Sequence, residues 1–338
     1  MKKLLTTLFV SLFTFGLYAQ DNEPNTLRYY LNDQTTFDVR ISELSQVKKI
    51  GNAALKNIYS NSNKASKDFL LSQIDSILFV YVDYQDDPED NNVNKNTDNR
   101  ALLLEYPRLR SGSNDILSIH STQNYGITYS LEYDCTERLA RWVAYEMHDG
   151  NSAKNVSRTD AWADDPNIPS RYRTQKSDFS GFSRGHLCPS SDRLCSAEQN
   201  KQTFYYSNMM PQYQNHNGVL WASMEQKVTN TWNQPSFRDT LYVVKAATIY
   251  DQLTTTNTGL TVPKYFYMAV LCVKNGQYKA IGLWTLHENV SRKNANLADY
   301  AISIDELEEK TGIDFFCNLP DDIEEEVEKN VNLSDWGL

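Results

Sequence analysis

Six residues between positions 158 and 225 have side chains suited to chemistry: Arg158 in "SRTD", Arg184 and His186 in "SRGHLCP", Asn208 in "NMMPQ", and Asn217 and Glu225 in "NHNGVLWASMEQKV". An imidazole titrates near neutrality and can take a proton from water. Amide and carboxylate oxygens suit a hard divalent ion, and a guanidinium fork suits anionic oxygens. Such a set could carry out metal-assisted hydrolysis at an anionic centre. Taken singly, each residue also has an ordinary explanation: a solvated Arg158, a packed His186, Asn217 as the cap of a helix, Glu225 as a surface acid. Gly185 lets the backbone pass close to a neighbour.

These residues need elements to hold them. Asn217, Trp221 and Glu225 recur at helical spacing along one stripe, and Leu220, Trp221, Met224 and Val228 form the apolar side. Upstream, "YGITYSLEYD" and "LARWVAYEMH" predict a hairpin, and "DTLYVVKAATIYD", "KYFYMAVLCVK" and "QYKAIGLWTL" predict further strands. "SIDELEEKTG" predicts a helix capped by Ser303 and ending at Gly312. The fold class expected is α+β, a mixed, mainly antiparallel sheet with packed helices over 101–338. Residues 21–83 predict a small α+β module, with a helix in "SELSQVKKIGNAALKNIYS". The Asp- and Asn-rich stretch 84–100 reads as a linker.

Residues 1–20 have two lysines and then a short apolar run, the layout of a secretory signal peptide, which predicts an exported protein, periplasmic or extracellular. No other stretch is apolar enough to predict a membrane span. Five cysteines without CxxC spacing argue against a zinc site, while Cys188 and Cys195 could bridge or stay as buried thiols. The net charge of −10 is uneven. Residues 101–304 hold 20 basic and 18 acidic side chains, whereas 305–329 hold 2 and 11, so the middle of the chain can face a polyanion.

The ordered set "SRT", "RGH", "NMMPQ", then "N" and "E" on one helix resembles the DNA/RNA non-specific endonucleases, which include secreted bacterial sugar-nonspecific nucleases and mitochondrial endonuclease G. The likeness covers roughly residues 101–335. It implies a ββα-metal finger and hydrolysis of DNA and RNA phosphodiester bonds with little sequence preference. It also implies Mg²⁺ as cofactor, with Mn²⁺ or another divalent ion able to serve. By position, His186 matches the general base, Arg158 the phosphate contact, Asn217 the direct metal ligand and Glu225 the acid that acts through the metal's waters. Asn208 matches a supporting asparagine of the catalytic set. Arg184 reads as a second substrate contact or a structural ion pair. Ser183 stands where the family has an aspartate. Rival readings of the same residues are a phosphodiesterase for small nucleotides and a binding-only, decayed nuclease.

Overall fold

The strands expected from the alternating and apolar runs all form, and they join edge to edge. The computed structural model describes residues 92–338 throughout and, before them, six strands. The chain divides into two compact units, residues 1–86 and 87–338.

In the first unit the strands are β1 (Thr26–Leu31), β2 (Thr36–Arg40), β3 (Leu44–Ile50), β4 (Ala54–Tyr59), β5 (Lys67–Leu70) and β6 (Ile74–Val80). They make two antiparallel sheets, β2-β1-β6 and β3-β4-β5. The helix expected in 42–60 is therefore corrected to a hairpin, with Ile50 paired to Ala54 and Leu44 to Tyr59. Gly51-Asn52 is a turn signal that interrupts the helical spacing, and it outweighs the intrinsic propensity of the flanking residues. The expected signal peptide lies outside the described residues.

The second unit is built on a seven-stranded sheet. Its strands are β7 (Ile116–Thr122), β8 (Gly126–Asp134), β9 (Leu139–Met147), β12 (Thr240–Ala247), β15 (Tyr265–Lys274), β16 (Gln277–Leu286) and β17 (Ala301–Ile302). The order is β17-β16-β15-β12-β9-β8-β7, with every pair antiparallel. Two short antiparallel pairs stand apart: β10 (Ser183–His186) with β11 (Met209–Gln212), and β13 (Gln252–Thr255) with β14 (Thr261–Pro263).

Side chains alternate across the sheet, so each strand feeds two cores. Val143, Tyr145, Val243, Met268 and Val270 face one core with Met209, Met210, Leu220 and Trp221. Trp142, Ala144, Val244, Ala269 and Leu271 face the other with Ile304, Leu307, Phe315 and Phe316. The helices are α1 (Ala197–Gln202), α2 (Ala222–Lys227), α3 (Ile304–Thr311) and α4 (Asp321–Lys329). As expected, the Ser303 side chain caps α3 by accepting from the Glu306 N–H, and Gly312 closes it at φ 65°.

The second half of the expected linker is part of this unit. Asn92 and Asn96 are buried. Asn92 Nδ2 donates to the carbonyls of Cys317 and Leu319, and Asn96 Nδ2 donates to that of Pro107. Asparagine amides anchor this irregular segment through hydrogen bonds to backbone, an attachment that low apolar content conceals.

Candidate active site

The "SRGH" stretch forms β10, which pairs with β11 so that Gly185 faces Met210 and His186 faces Met209. A Cβ on Gly185 would come within 1.9 Å of Gln212 Oε1, so glycine is required for the ribbon to close. Gln212 is itself held: its Nε2 lies 2.7 Å from His216 Nδ1, and His216 Nε2 lies 2.6 Å from Thr285 Oγ1. His216 is kept neutral, pulled down to about 3 by burial.

Asn208 ties this ribbon down. Its Oδ1 accepts from the Cys188 N–H at 2.8 Å, and its Nδ2 donates to the carbonyls of Cys188 and Thr203 at 2.9 and 2.8 Å. The amide is fully engaged with backbone and completely buried, so Asn208 is a positioning residue. Cys188 and Cys195 are free buried thiols, and the bridge between them is absent. Cys195 Sγ instead donates to Gln199 Oε1 at 2.7 Å.

His186 Nε2 is shielded from solvent and has no hydrogen-bond partner among the described residues. Its ring sits 5.1 Å from Phe204 and 5.5 Å from Trp162. Burial, with Arg158 and Arg184 adding to it, pulls His186 down to about 3, so the imidazole is neutral. The Arg158 guanidinium lies 4.7 Å over the Phe204 ring, and Arg184 lies 3.6 Å over Trp162. Both cations thus flank the imidazole through a shared aromatic wall. Arg158 also bonds Asp160 at 2.8 Å and Ser190 Oγ at 3.2 Å. Arg184 Nη1 is buried and without a hydrogen-bond partner among the described residues.

After β11 the chain enters a helix that is wider than expected at both ends. His216–Trp221 and Val228–Trp232 are π-helical turns flanking α2. Asn217 lies inside this helix, its N–H bonded to the Tyr213 carbonyl, so its reading as a cap is corrected. Its side-chain amide has no hydrogen-bond partner among the described residues, and π turns often mark such functional positions. Glu225 Oε1 pairs with Lys245 Nζ at 3.1 Å. Burial pushes the Glu225 carboxyl up while Lys245 draws it back.

Lys245 is a site residue that the sequence did not single out. It is fully buried in the middle of β12, within 5.9 Å of the Trp221 ring and 5.7 Å of Tyr145. Its signal was a lysine on the apolar face of an alternating strand, between Val243 and Ala247. Trp162, the surface on which Arg184 lies, was also missed. Ser183, in place of the family's acid, donates to Gln214 Oε1 at 2.6 Å and joins β10 to the start of the helix. A separate group of carboxylates, Asp305, Glu308 and Glu328, lies on the opposite face of the sheet with α3 and α4.

The β10–β11 ribbon and the helix after it carry Arg184, His186, Asn217 and Glu225, and Arg158 reaches the same aromatic wall from the irregular segment before β10. Residues 114–322 match the sequence model of the DNA/RNA non-specific endonucleases, and the chain belongs to that family. A nuclease from Nostoc sp. is 29% identical over 218 residues, covering 60% of this chain and 76% of that protein. Mitochondrial nuclease EXOG from Xenopus laevis is 27% identical over 213 residues, 58% of each chain, so the chain spans less than two thirds of that relative. The nuclease of Serratia marcescens is 23% identical over 206 residues, covering 58% and 75%. A crystal structure of the EndoG/EndoGI complex shares the fold, with a TM-score of 0.50 at 21% identity over 60% of this chain and 86% of that one.

Proposed function

We propose that this protein is an exported, divalent-metal-dependent endonuclease that hydrolyses DNA and RNA phosphodiester bonds with little sequence preference. The observation that carries the reading is the neutral, unpartnered Nε2 of His186 set between Arg158 and Arg184. That nitrogen accepts the proton of the attacking water. Arg158, half-exposed and held by Asp160 and Ser190, grips the phosphate oxygens, and the unpartnered Nη1 of Arg184 supplies a second donor. Entry of the phosphate offsets both cations and so raises the basicity of His186 at the moment it must act.

The unpaired amide of Asn217 fits a direct metal ligand, and Glu225, partly exposed beside Lys245, fits a role through water. When bound, Mg²⁺ or Mn²⁺ would supply Lewis acidity toward the phosphate and the leaving oxygen. Contacts made to the phosphate backbone by guanidinium groups do not read bases, which supports low sequence preference. Export rests on the lysine-led apolar layout of residues 1–20.

Supercoiled plasmid and RNA incubated with millimolar magnesium or with excess EDTA test this reading. Both substrates are degraded in magnesium and neither in chelator. Full activity in chelator would contradict the metal role given to Asn217.

A further inference from the structure

The acidic tail segment 305–329 is not merely a solvated surface. Asp305 and Glu308 on α3 and Glu328 on α4 bring one carboxylate oxygen each within 4.8 Å of one another. That is the span of opposite ligands on an ion bound at about 2.4 Å, a calcium–oxygen distance. They line a cleft of about 490 Å³ that also receives Asn94 and Glu324.

Two observations independent of charge point to a ligand. Glu328 is only 5% exposed, yet its Oε1 has no hydrogen-bond partner among the described residues. Asn94 Oδ1 is likewise buried and unpartnered, while Asn94 Nδ2 is committed to Glu324 Oε1 at 3.0 Å and to Asp314 at 3.4 Å. Two acceptors from chain segments far apart in sequence thus enter one cleft without a donor. Leaving a buried acceptor unpaired costs about 1–3 kcal/mol, and a cation satisfies several at once.

We propose that Asp305, Glu308, Glu328 and Asn94 form a second, structural site for a hard divalent cation of the calcium class, separate from the ββα site and on the other face of the sheet. Oxygen donors alone, with no sulfur or imidazole, select such an ion over a transition metal. The cation clamps residues 92–96 to α3 and α4 at a cleft whose facing carboxylates carry like charge.

Thermal unfolding of the chelator-stripped full chain tests this, with and without about 5 mM calcium. Extracellular-type calcium affinity, on the order of 10⁻⁴–10⁻³ M, would raise the midpoint by about 3–9 °C. The shift persists in Asn217→Ala, which removes the proposed catalytic ligand, and is largely lost in Glu328→Gln. No shift in the wild type, a shift retained by Glu328→Gln, or one abolished by Asn217→Ala overturns the proposal. A wild type indifferent to calcium and less stable than Glu328→Gln in chelator identifies a protonated carboxyl cluster instead and likewise overturns it. Should Glu328→Gln fail to fold, Asp305→Asn at the exposed rim is read by calorimetry; calcium affinity falls about tenfold or more, and unchanged affinity refutes the site.

Discussion

At the residue scale the proposed chemistry turns on the charge state of one imidazole. Burial is the first reason that His186 is held near 3, and Arg158 and Arg184 come next; Asp160 opposes them and Lys245 adds to them weakly. A base must be neutral to accept a proton, so the acid limb of activity in the free enzyme lies below the ordinary histidine value of 6.5. Removing a neighbouring cation stabilises the imidazolium and moves that limb upward. Arg158→Ala therefore shifts the His186 midpoint up by about one pH unit, as read by NMR titration of its ring protons. A wild-type midpoint near 6.5, unmoved by the substitution, would contradict this account. The types of Arg158, Arg184, His186, Asn217 and Glu225 were legible in order along the chain. Their environment was not, because the aromatic wall of Phe204 and Trp162 and the Lys245 partner come from other elements.

At the element scale, β10, β11 and the following helix form one unit whose close approach leaves no room for a side chain at Gly185. Gly185→Ala drives a methyl into Gln212, which is itself locked to His216 and Thr285. Overpacking of this kind costs about 1–3 kcal/mol, seen as a lower unfolding midpoint. Because the displaced strand carries Arg184 and His186, activity falls further, by about 100-fold under conditions where the variant is still folded. Unchanged stability and rate would show that the ribbon is loose. The sequence predicted the strands β8, β9, β12, β15 and β16 and the helix α3 because alternating or apolar runs and a serine cap are local signals. It misread 42–60 as a helix, since spacing was weighed above the Gly51-Asn52 turn. It also placed Asn217 at a helix start, because π turns leave no pattern in composition.

At the scale of the whole molecule, the two faces of the seven-stranded sheet do different work. The face with Trp221 and Met209 supports the ββα unit and its cations; the face with Ile304 and Phe315 supports the acidic helices. This segregation explains how a chain of net charge −10 presents a guanidinium-lined site to a polyanion. Uneven charge was legible from residue counts, yet the use of 92–100 as a strap was not, because its anchors are asparagine amides bonded to backbone rather than apolar side chains. The proposed role of His186 as the base of the nuclease is read most directly from the rate of supercoiled-plasmid cleavage by His186→Ala in magnesium. The expected loss is on the order of 10²–10⁴-fold with an unchanged unfolding midpoint. A folded variant that cuts plasmid at close to the wild-type rate would contradict it.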